Sequence, residues 1–151
     1  MIRKYKPSDL NVTMEIWAAA TELAHDFLPK DFAKKVEADM RNIYMPHPDA
    51  LTWVYEVDNV VVGFISMIGN EIGGLFVHPK NHSQGIGSTL VNHVRSQHDQ
   101  LEVEVFEKNY IGRAFYDKYG FHLMKHFLHE ESGEMVMRLT TGTAVEGYSE
   151  S

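Results

Sequence analysis

The stretch LFVHPKNHSQGIGSTLV, residues 75–91, decides the fold. An apolar strand end passes through a proline into a polar loop, and a Gly-x-Gly at residues 85–87 opens a run with helical periodicity. Such glycines let the backbone approach a ligand closely, and a helix N-terminus presents unpaired N–H groups and the positive end of its dipole. The segment indicates an anion site, above all for phosphate. A tight strand-to-helix turn is the alternative interpretation of the tripeptide alone.

Length and composition limit the classes to which this protein can belong. The 151 residues fit one domain with a real core, and 44% of them are hydrophobic. With 21 acidic and 14 basic residues the net charge is −7, which argues against nucleic acid and anionic lipid and favours cationic partners. The lack of cysteine excludes disulfides, thiolate zinc sites and a cysteine nucleophile. No apolar stretch is long enough to target or span a membrane, so we expect a cytoplasmic protein.

The segments before the loop predict a short strand at residues 2–6, two helices and three antiparallel strands. Apolar residues recur at helical spacing in both helices, Leu10, Met14 and Trp17 in the first and Phe32, Val36 and Met40 in the second. The three strands fall within residues 52–79, which are rich in β-branched and aromatic side chains. Tight turns at Asp58-Asn59 and near Gly69-Asn70 separate them.

The segments after the loop complete an α+β pattern. They predict a helix with an apolar face, a strand at residues 101–106, a helix from Asn109 to Gly120, and two closing strands around Ser132-Gly133. The order β-α-α-β-β-β-α-β-α-β-β predicts a mixed, mostly antiparallel sheet with helices on both faces. We place the domain at residues 1–139. Residues 140–151 have no periodicity and are expected to be a mobile or vector-derived tail.

Two stretches together resemble the GNAT superfamily of acetyl-CoA-dependent N-acetyltransferases, and specifically its small bacterial single-domain members. Residues 75–91 resemble the Arg/Gln-x-x-Gly-x-Gly/Ala loop of that family, and NYIGRAFYDKYGF, residues 109–121, resembles its Asn-then-Tyr helix with a closing Gly-Phe. The resemblance extends through about Leu139. His82 stands where the family usually has Arg or Gln, and Ser83 where Gly is frequent. The resemblance implies a splay between the fourth and fifth strands and acetyl-CoA as the cofactor.

Two other phosphate-binding loops do not match. A P-loop needs a lysine within its closing Gly-Lys-Ser/Thr, and this chain has Gly87-Ser88-Thr89. A dinucleotide-binding fingerprint needs a third small residue where Leu90 stands. Both are excluded.

The resemblance implies how the cofactor is held. The pyrophosphate would lie on the N–H groups of residues 83–88, strand backbone would bind the pantetheine arm, and an amide near Val77 would polarise the thioester carbonyl. The implied cofactor-binding residues are Leu75, Phe76, Val77, His82, Ser83, Gln84, Gly85, Ile86, Gly87, Ser88, Asn109 and Tyr116. Core packing also explains the apolar strand residues, and Asn109 also suits a helix N-cap.

The resemblance implies Tyr116 as the general acid that protonates the departing thiolate. A core tyrosine is the alternative, although Phe115 and Tyr119 are the stronger core candidates of this helix. Glu104 aligns with a strand glutamate that some family members use as a base, directly or through water. In LEVEV, Glu102 and Glu104 share one strand face, and a solvated face explains this alternation equally well.

The acceptor is expected to be a primary amine on a small molecule or a peptide. The loop His25-Asp26-Phe27, which covers the acceptor side in this family, is assigned to substrate binding together with Glu102; a surface loop capping the second helix is the alternative. Nine histidines include no His-Glu-x-x-His, so no metal site is predicted. An acyl-CoA-binding sensor without turnover is the second hypothesis, and the net charge counts against a third, action on charged tRNA. We expect a monomer or a homodimer.

Overall fold

The computed structural model describes residues 1–142 and places seven strands and four α-helices in them. The strands are β1 (Ile2–Lys4), β2 (Leu51–Val57), β3 (Val60–Ile68), β4 (Glu71–Val77), β5 (Glu102–Phe106), β6 (His122–His129) and β7 (Glu134–Thr140). The helices are α1 (Leu10–Ala24), α2 (Lys30–Asp39), α3 (Ile86–Arg95) and α4 (Tyr110–Tyr119). Their order along the chain is the predicted one.

The strands form one open sheet in the order β1-β2-β3-β4-β5-β7-β6 across the described part of the chain. Every neighbouring pair is antiparallel except β4 and β5, which are parallel. Asp58 and Asn59 have φ values of 52° and 66°, which is the backbone that a two-residue hairpin between β2 and β3 requires. The predicted fold class is confirmed.

The parallel pair β4 and β5 separates soon after it forms. Cα partners across it are limited to Glu71 with Glu102 and Ile72 with Val103, whereas β4 stays paired with β3 up to Val77. No hairpin joins two parallel strands, so a crossover through α3 can leave their far ends apart. We call the point beyond Ile72 and Val103 the fork. It is the splay that the family resemblance implies.

Each face of the sheet carries its own core. On the first face, α3 and α4 pack on the sheet through the cluster Ile65, Met67, Ile72, Ile86, Leu90, Val91, Val94, Leu101, Val103, Val105, Tyr116, Phe121 and Leu139, with Val62. On the second face, α1 packs through the cluster Met14, Ile16, Trp17, Val54, Val61 and Phe64, with Met45. Burial of each large side chain contributes about 1.5–3 kcal/mol. The two clusters therefore fix the β3–β4 half of the sheet from both sides.

The second face is differently built beside β5, β7 and β6. Helix α2 has no fully buried residue. It reaches this half of the sheet through the Phe32 ring, 5.7 Å from that of His129, and through an ion pair of 2.9 Å between Lys35 and Glu131. This half therefore presents charged and aromatic side chains rather than a second apolar core.

The end of the described chain is fixed to the sheet. Thr140 is the last residue of β7, one residue beyond the predicted domain boundary, and the Thr141 N–H donates to the Leu101 carbonyl at 3.0 Å. The rest of the predicted tail, residues 143–151, lies outside the described residues. Among the helices of residues 1–142, none has both the length and the apolar character to cross a bilayer.

Candidate active site

The loop before α3 presents unpaired backbone amides. Ser83 and Gly85 have φ values of 67° and 77°, and this left-handed backbone turns the chain into the helix. The first helical hydrogen bond runs from the Thr89 N–H to the Gly85 carbonyl at 3.0 Å. The N–H groups of Ile86, Gly87 and Ser88 precede it and have no acceptor within the helix. They and the helix dipole together suit an anion.

Gly87 is needed for the contact between two helices. A Cβ atom on Gly87 would lie 3.0 Å from Cε1 of the Phe115 ring on α4. The sequence suggested that this glycine lets a ligand approach the backbone. The structure adds a second reason, because any side chain here would push Phe115 away from α3.

A cleft of about 740 Å³ lies between this loop, β4 and α4. Its walls include nine of the predicted cofactor-binding residues, Leu75, Val77, His82, Ser83, Gly85, Ile86, Gly87, Ser88 and Tyr116. The predicted residues Phe76, Gln84 and Asn109 are not among the lining residues, and the Phe76 ring packs on Phe64 on the second face, 5.5 Å between centroids.

Sequence reasoning missed part of the cleft wall, namely Asn81, Ile111, Gly112, Phe115, Lys118 and Tyr119. Most of these lie on α4, where residues four apart share a helix face. The spacing of Ile111, Phe115 and Tyr119 carries that signal, although the same spacing is also typical of core packing.

The end of β4 directs backbone groups toward the fork. The His78 N–H donates to the Val62 carbonyl on β3 at 2.8 Å, so by strand alternation the N–H and C=O of Val77 point the other way, toward β5. His82 Nε2 donates to the Val77 carbonyl at 2.9 Å. The Val77 carbonyl is therefore occupied by the loop, while its N–H faces the gap.

Tyr116 is both a core residue and a cleft residue. It is 7% exposed, and its ring contacts Phe115 and Phe121 at centroid distances of 5.2 and 5.1 Å. Burial raises the pKa of the phenol far above its ordinary value, so Tyr116 is protonated at neutral pH. The expectation that Phe115 and Tyr119 are the better core residues is wrong, because both are only partly buried. They turn toward α3, while Tyr116 turns toward the sheet.

Glu102 and Glu104 lie on the second face and share one cation. Val103 and Val105 belong to the first core, as the alternation predicted. Arg138 on β7 donates through Nε to Glu102 at 2.8 Å and through Nη1 to Glu104 at 2.8 Å. Glu104 is the first residue of β5 beyond the fork, so it lies at the gap between the separated strands.

The loop His25-Asp26-Phe27 packs against the end of β5. The His25 ring lies edge-on to Phe27 and Phe106, with centroid distances of 5.9 and 5.4 Å. Burial lowers the pKa of His25 to about 4. Asp26 is exposed. The alternative that this loop caps α2 is wrong, since Pro29 occupies the N-cap without a side-chain bond.

Asn109 links that loop to α4. Its Oδ1 accepts from the Gly112 N–H at 2.8 Å, which makes it the N-cap of the helix. Its Nδ2 donates to Nε2 of His25 at 3.1 Å. Because Nε2 of His25 accepts this bond, the ring proton lies on Nδ1. The loop His25-Asp26-Phe27 and the helix that carries Tyr116 are therefore joined through two side chains.

These features define a class of enzyme. A helix N-terminus suits a phosphate, a cleft leads from it along the end of β4, a phenol lines that cleft, and carboxylates lie on the opposite face of the sheet. Such a site suits a phosphate-bearing carrier whose acyl group is handed to a nucleophile.

Comparison with known proteins gives the family. Residues 48–123 match the family described as acetyltransferase (GNAT) domain. The peptidyl-lysine N-acetyltransferase YiaC of Escherichia coli K12 is 33% identical over 125 residues, which cover 82% of this chain and 84% of YiaC. YjaB of the same organism, also named a peptidyl-lysine N-acetyltransferase, is 30% identical over 120 residues, 80% of each chain. The chain belongs to the GNAT acetyltransferase family.

Solved structures agree on the fold. The apo form of YjaB from Escherichia coli superimposes with a TM-score of 0.84 at 25% identity, over 95% of this chain and 98% of YjaB. The PaiA N-acetyltransferase of Thermoplasma acidophilum in complex with coenzyme A has a TM-score of 0.73 at 20% identity, over 91% and 96% of the two chains. The second likeness supports the fold alone.

The family assignment gives the activity in its general form. The chain is an acetyltransferase that takes its acetyl group from acetyl-CoA. The residues present fit that molecule, because the amides at the start of α3 suit its pyrophosphate and the glycine at position 87 keeps the cleft open between α3 and Phe115.

Proposed function

We propose that this protein is an N-acetyltransferase that transfers the acetyl group directly to the primary amine of a lysine side chain in a peptide or protein. The single observation that supports the proposal is the fork, since Glu104 lies just beyond it on one face of the sheet and the buried Tyr116 lines the cleft on the other. The names of YiaC and YjaB support a peptidyl-lysine acceptor.

The chain's own residues would hold the cofactor along the cleft. The first-turn amides of α3 would bind the pyrophosphate, with the Lys118 ammonium at the same cleft. The Val77 N–H, which faces the gap, would donate to the thioester carbonyl and stabilise the charge that develops on its oxygen. Bound acetyl-CoA supplies the activated acetyl group.

Tyr116 would act as the general acid. Breaking the bond between carbonyl carbon and sulfur leaves a thiolate, and protonation of that sulfur by the phenol favours its departure. Burial keeps the phenol protonated over the whole range of working pH. Tyr116 is one of the residues that line the cleft, which supports this role.

Glu104 would act as the base, directly or through water. A lysine amine arrives as an ammonium and must lose a proton before its nitrogen can attack the carbonyl carbon. Glu104 lies at the gap through which that nitrogen would reach the thioester. Its bond to Arg138 uses one of its two oxygens, Oε2.

The acceptor would approach over the second face. Glu102, Glu104 and the exposed Asp26 give that side negative charge, and Phe27 provides an aromatic surface for an aliphatic arm or a cation. Lys108 Nζ lies 6.0 Å from the centroid of the Phe27 ring, and this contact supports a role of the ring in binding an ammonium.

An acceptor screen tests the proposal. Release of free CoA thiol from acetyl-CoA would be followed with lysine peptides, peptides with free N-termini and blocked lysines, polyamines and aminoglycosides, and products would be located by mass spectrometry. The proposal expects acetylation at lysine Nζ. Tight binding of acetyl-CoA with no thiol release for any amine would favour the alternative, a non-catalytic acyl-CoA sensor.

A further inference from the structure

Arg138 is the centre of a charged cluster that connects three strands. Besides its bonds to Glu102 and Glu104 on β5, its Nη2 donates to Glu71 on β4 at 3.2 Å. The side chain of Arg138 is 22% exposed, against 39% for Glu71 and 40% for Glu104. One guanidinium on β7 therefore reaches across β5 to β4 and binds three carboxylates.

The cluster lies where β4 and β5 begin to separate. Glu71 and Glu102 are Cα partners within the paired part, and Glu104 lies one strand step past the last pair, Ile72 with Val103. On the other arm of the fork stand Gly73 and Gly74, which place no side chain in the gap. The Arg138 side chain thus links β4 and β5 where they last pair. It also orients the carboxylate of Glu104, one residue beyond that pair.

Within residues 1–142, neighbouring charged groups do not neutralise the cluster. Lys125 on β6 is the Cα partner of Arg138, but its ammonium lies over the Phe127 ring at 5.0 Å. His122 shares the same strand face through its pairing with Thr140, and Gln100 adds a neutral contact to Glu102 at 3.4 Å. Three carboxylates and one guanidinium leave the cluster with a net charge of −2.

We propose, resting on the function above, that Arg138 is a positioning residue that tunes the acceptor end of the site, holding Glu104 at the gap and setting the negative charge that the amine meets. The amine faces two opposed demands. Negative charge binds its ammonium form, yet the same charge makes the proton harder to remove. Arg138 reduces that charge by one without removing the carboxylate that takes the proton.

A charge series separates this role from a structural one. The cluster carries −1 in Glu71→Gln, −2 in the parent, −3 in Arg138→Gln and again −2 in the double variant Glu71→Gln/Arg138→Gln. Arg138→Lys retains the charge with fewer hydrogen bonds. Thermal unfolding identifies folded variants, and if Arg138→Gln does not fold, Glu71→Gln alone still predicts a shift of opposite sign.

The probe is Nα-acetyl-lysine methylamide, with the uncharged Nα-acetyl-norleucine methylamide as its control. Calorimetry in the presence of CoA should show the lysine probe binding about fivefold more tightly to Arg138→Gln and about fivefold more weakly to Glu71→Gln, with the double variant near the parent. The acidic limb of the kcat profile should move up by about half a pH unit in Arg138→Gln and down by a similar amount in Glu71→Gln. Added salt at 0.5 M should reduce both differences.

The possible outcomes distinguish a structural role of Arg138, a failure of this inference and a failure of the proposed catalysis. If both single variants change affinity in the same direction, or if the norleucine probe changes as the lysine probe does, Arg138 is a structural clamp and the inference is overturned. If the lysine probe follows the charge order but no CoA thiol is released, the inference on the binding site stands and the proposed catalysis fails. If acetylation proceeds without the charge order, the proposed function stands and this inference fails.

Discussion

The two faces of the sheet at the fork surround their ionisable groups in opposite ways. On the first face, Tyr116 is buried among aromatic side chains, and burial raises its pKa. On the second face, the Glu104 side chain is 40% exposed and hydrogen bonded to Arg138. Burial favours the neutral form of an acid, so the Tyr116 phenol keeps its proton. The proposed function assigns the donation of a proton to the first group, Tyr116, and the acceptance of one to the second, Glu104.

The largest effect is expected from narrowing the cleft on the first face of the sheet. Gly87→Val should abolish measurable acetyl-CoA binding, because the added side chain meets the Phe115 ring and narrows the cleft. His82→Ala is the control, since it removes the bond to the Val77 carbonyl but leaves the loop amides, and should weaken binding only modestly. Calorimetry on both proteins measures this. Unchanged affinity in Gly87→Val would remove the cofactor from this cleft.

Removing the proposed proton donor should have the next largest effect. Tyr116→Phe should lower turnover about 10²-fold or more while the dissociation constant for acetyl-CoA stays the same, because the phenol acts on the leaving thiolate and its loss hardly changes shape. Tyr119→Phe is the matched control on the same helix, where the hydroxyl donates to Asn92 at 2.5 Å. Equal turnover in Tyr116→Phe and the parent would return Tyr116 to a core role.

The link between the two faces should show in stability. His25 is neutral when folded, with a pKa of about 4 against an ordinary value of 6.5, so between these values the unfolded chain binds more protons. The free energy of unfolding should therefore fall as pH drops from 6.5 toward 4, by up to about 3 kcal/mol.

Chemical denaturation at pH 7.0, 6.0 and 5.0 measures this slope, and the interval above pH 5 limits the contribution of carboxylates. His25→Gln should flatten the slope. A slope unchanged in that variant would mean that His25 titrates as freely in the folded protein as in the unfolded one.

The smallest effect is expected at the rim of the second face. Asp26→Asn should raise KM for a lysine peptide about threefold with kcat unchanged, because an exposed carboxylate adds attraction for the ammonium but does not touch the reacting atoms. Steady-state kinetics at low salt measure this, with Asp31→Asn on α2 as a matched change of charge. If Asp26→Asn and Asp31→Asn gave equal shifts, the effect would belong to net charge and not to the loop.

Much of the fold was accessible from sequence because local signals agree with it. The alternation in LEVEV separates buried Val103 and Val105 from charged Glu102 and Glu104, and turn residues fix the hairpin at Asp58-Asn59. Gly120 ends α4 with a left-handed φ of 116°, where the sequence pattern ends the helix. Such features depend on residues close together along the chain.

The rest depends on contacts between distant segments. Arg138 finds its three carboxylates because β7 lies between β5 and β6, and nothing local to β7 specifies that place or its register. The rotation of α4 decides whether Tyr116 or its neighbour Phe115 faces the sheet, and the sequence pattern of the helix favoured Phe115. The contact of Gly87 with Phe115 likewise joins two helices that are separate in sequence.

The most direct test of this division between the faces is the pH dependence of kcat/KM for a lysine peptide in the parent, Tyr116→Phe and Glu104→Gln. Glu104→Gln should move the acidic limb upward by about one pH unit, because the ammonium must then lose its proton without help. Tyr116→Phe should lower the plateau of kcat/KM and leave the acidic limb in place. The parent should show no alkaline limb below about pH 10, since the phenol stays protonated there. Profiles of the same shape and height in all three proteins would contradict the account.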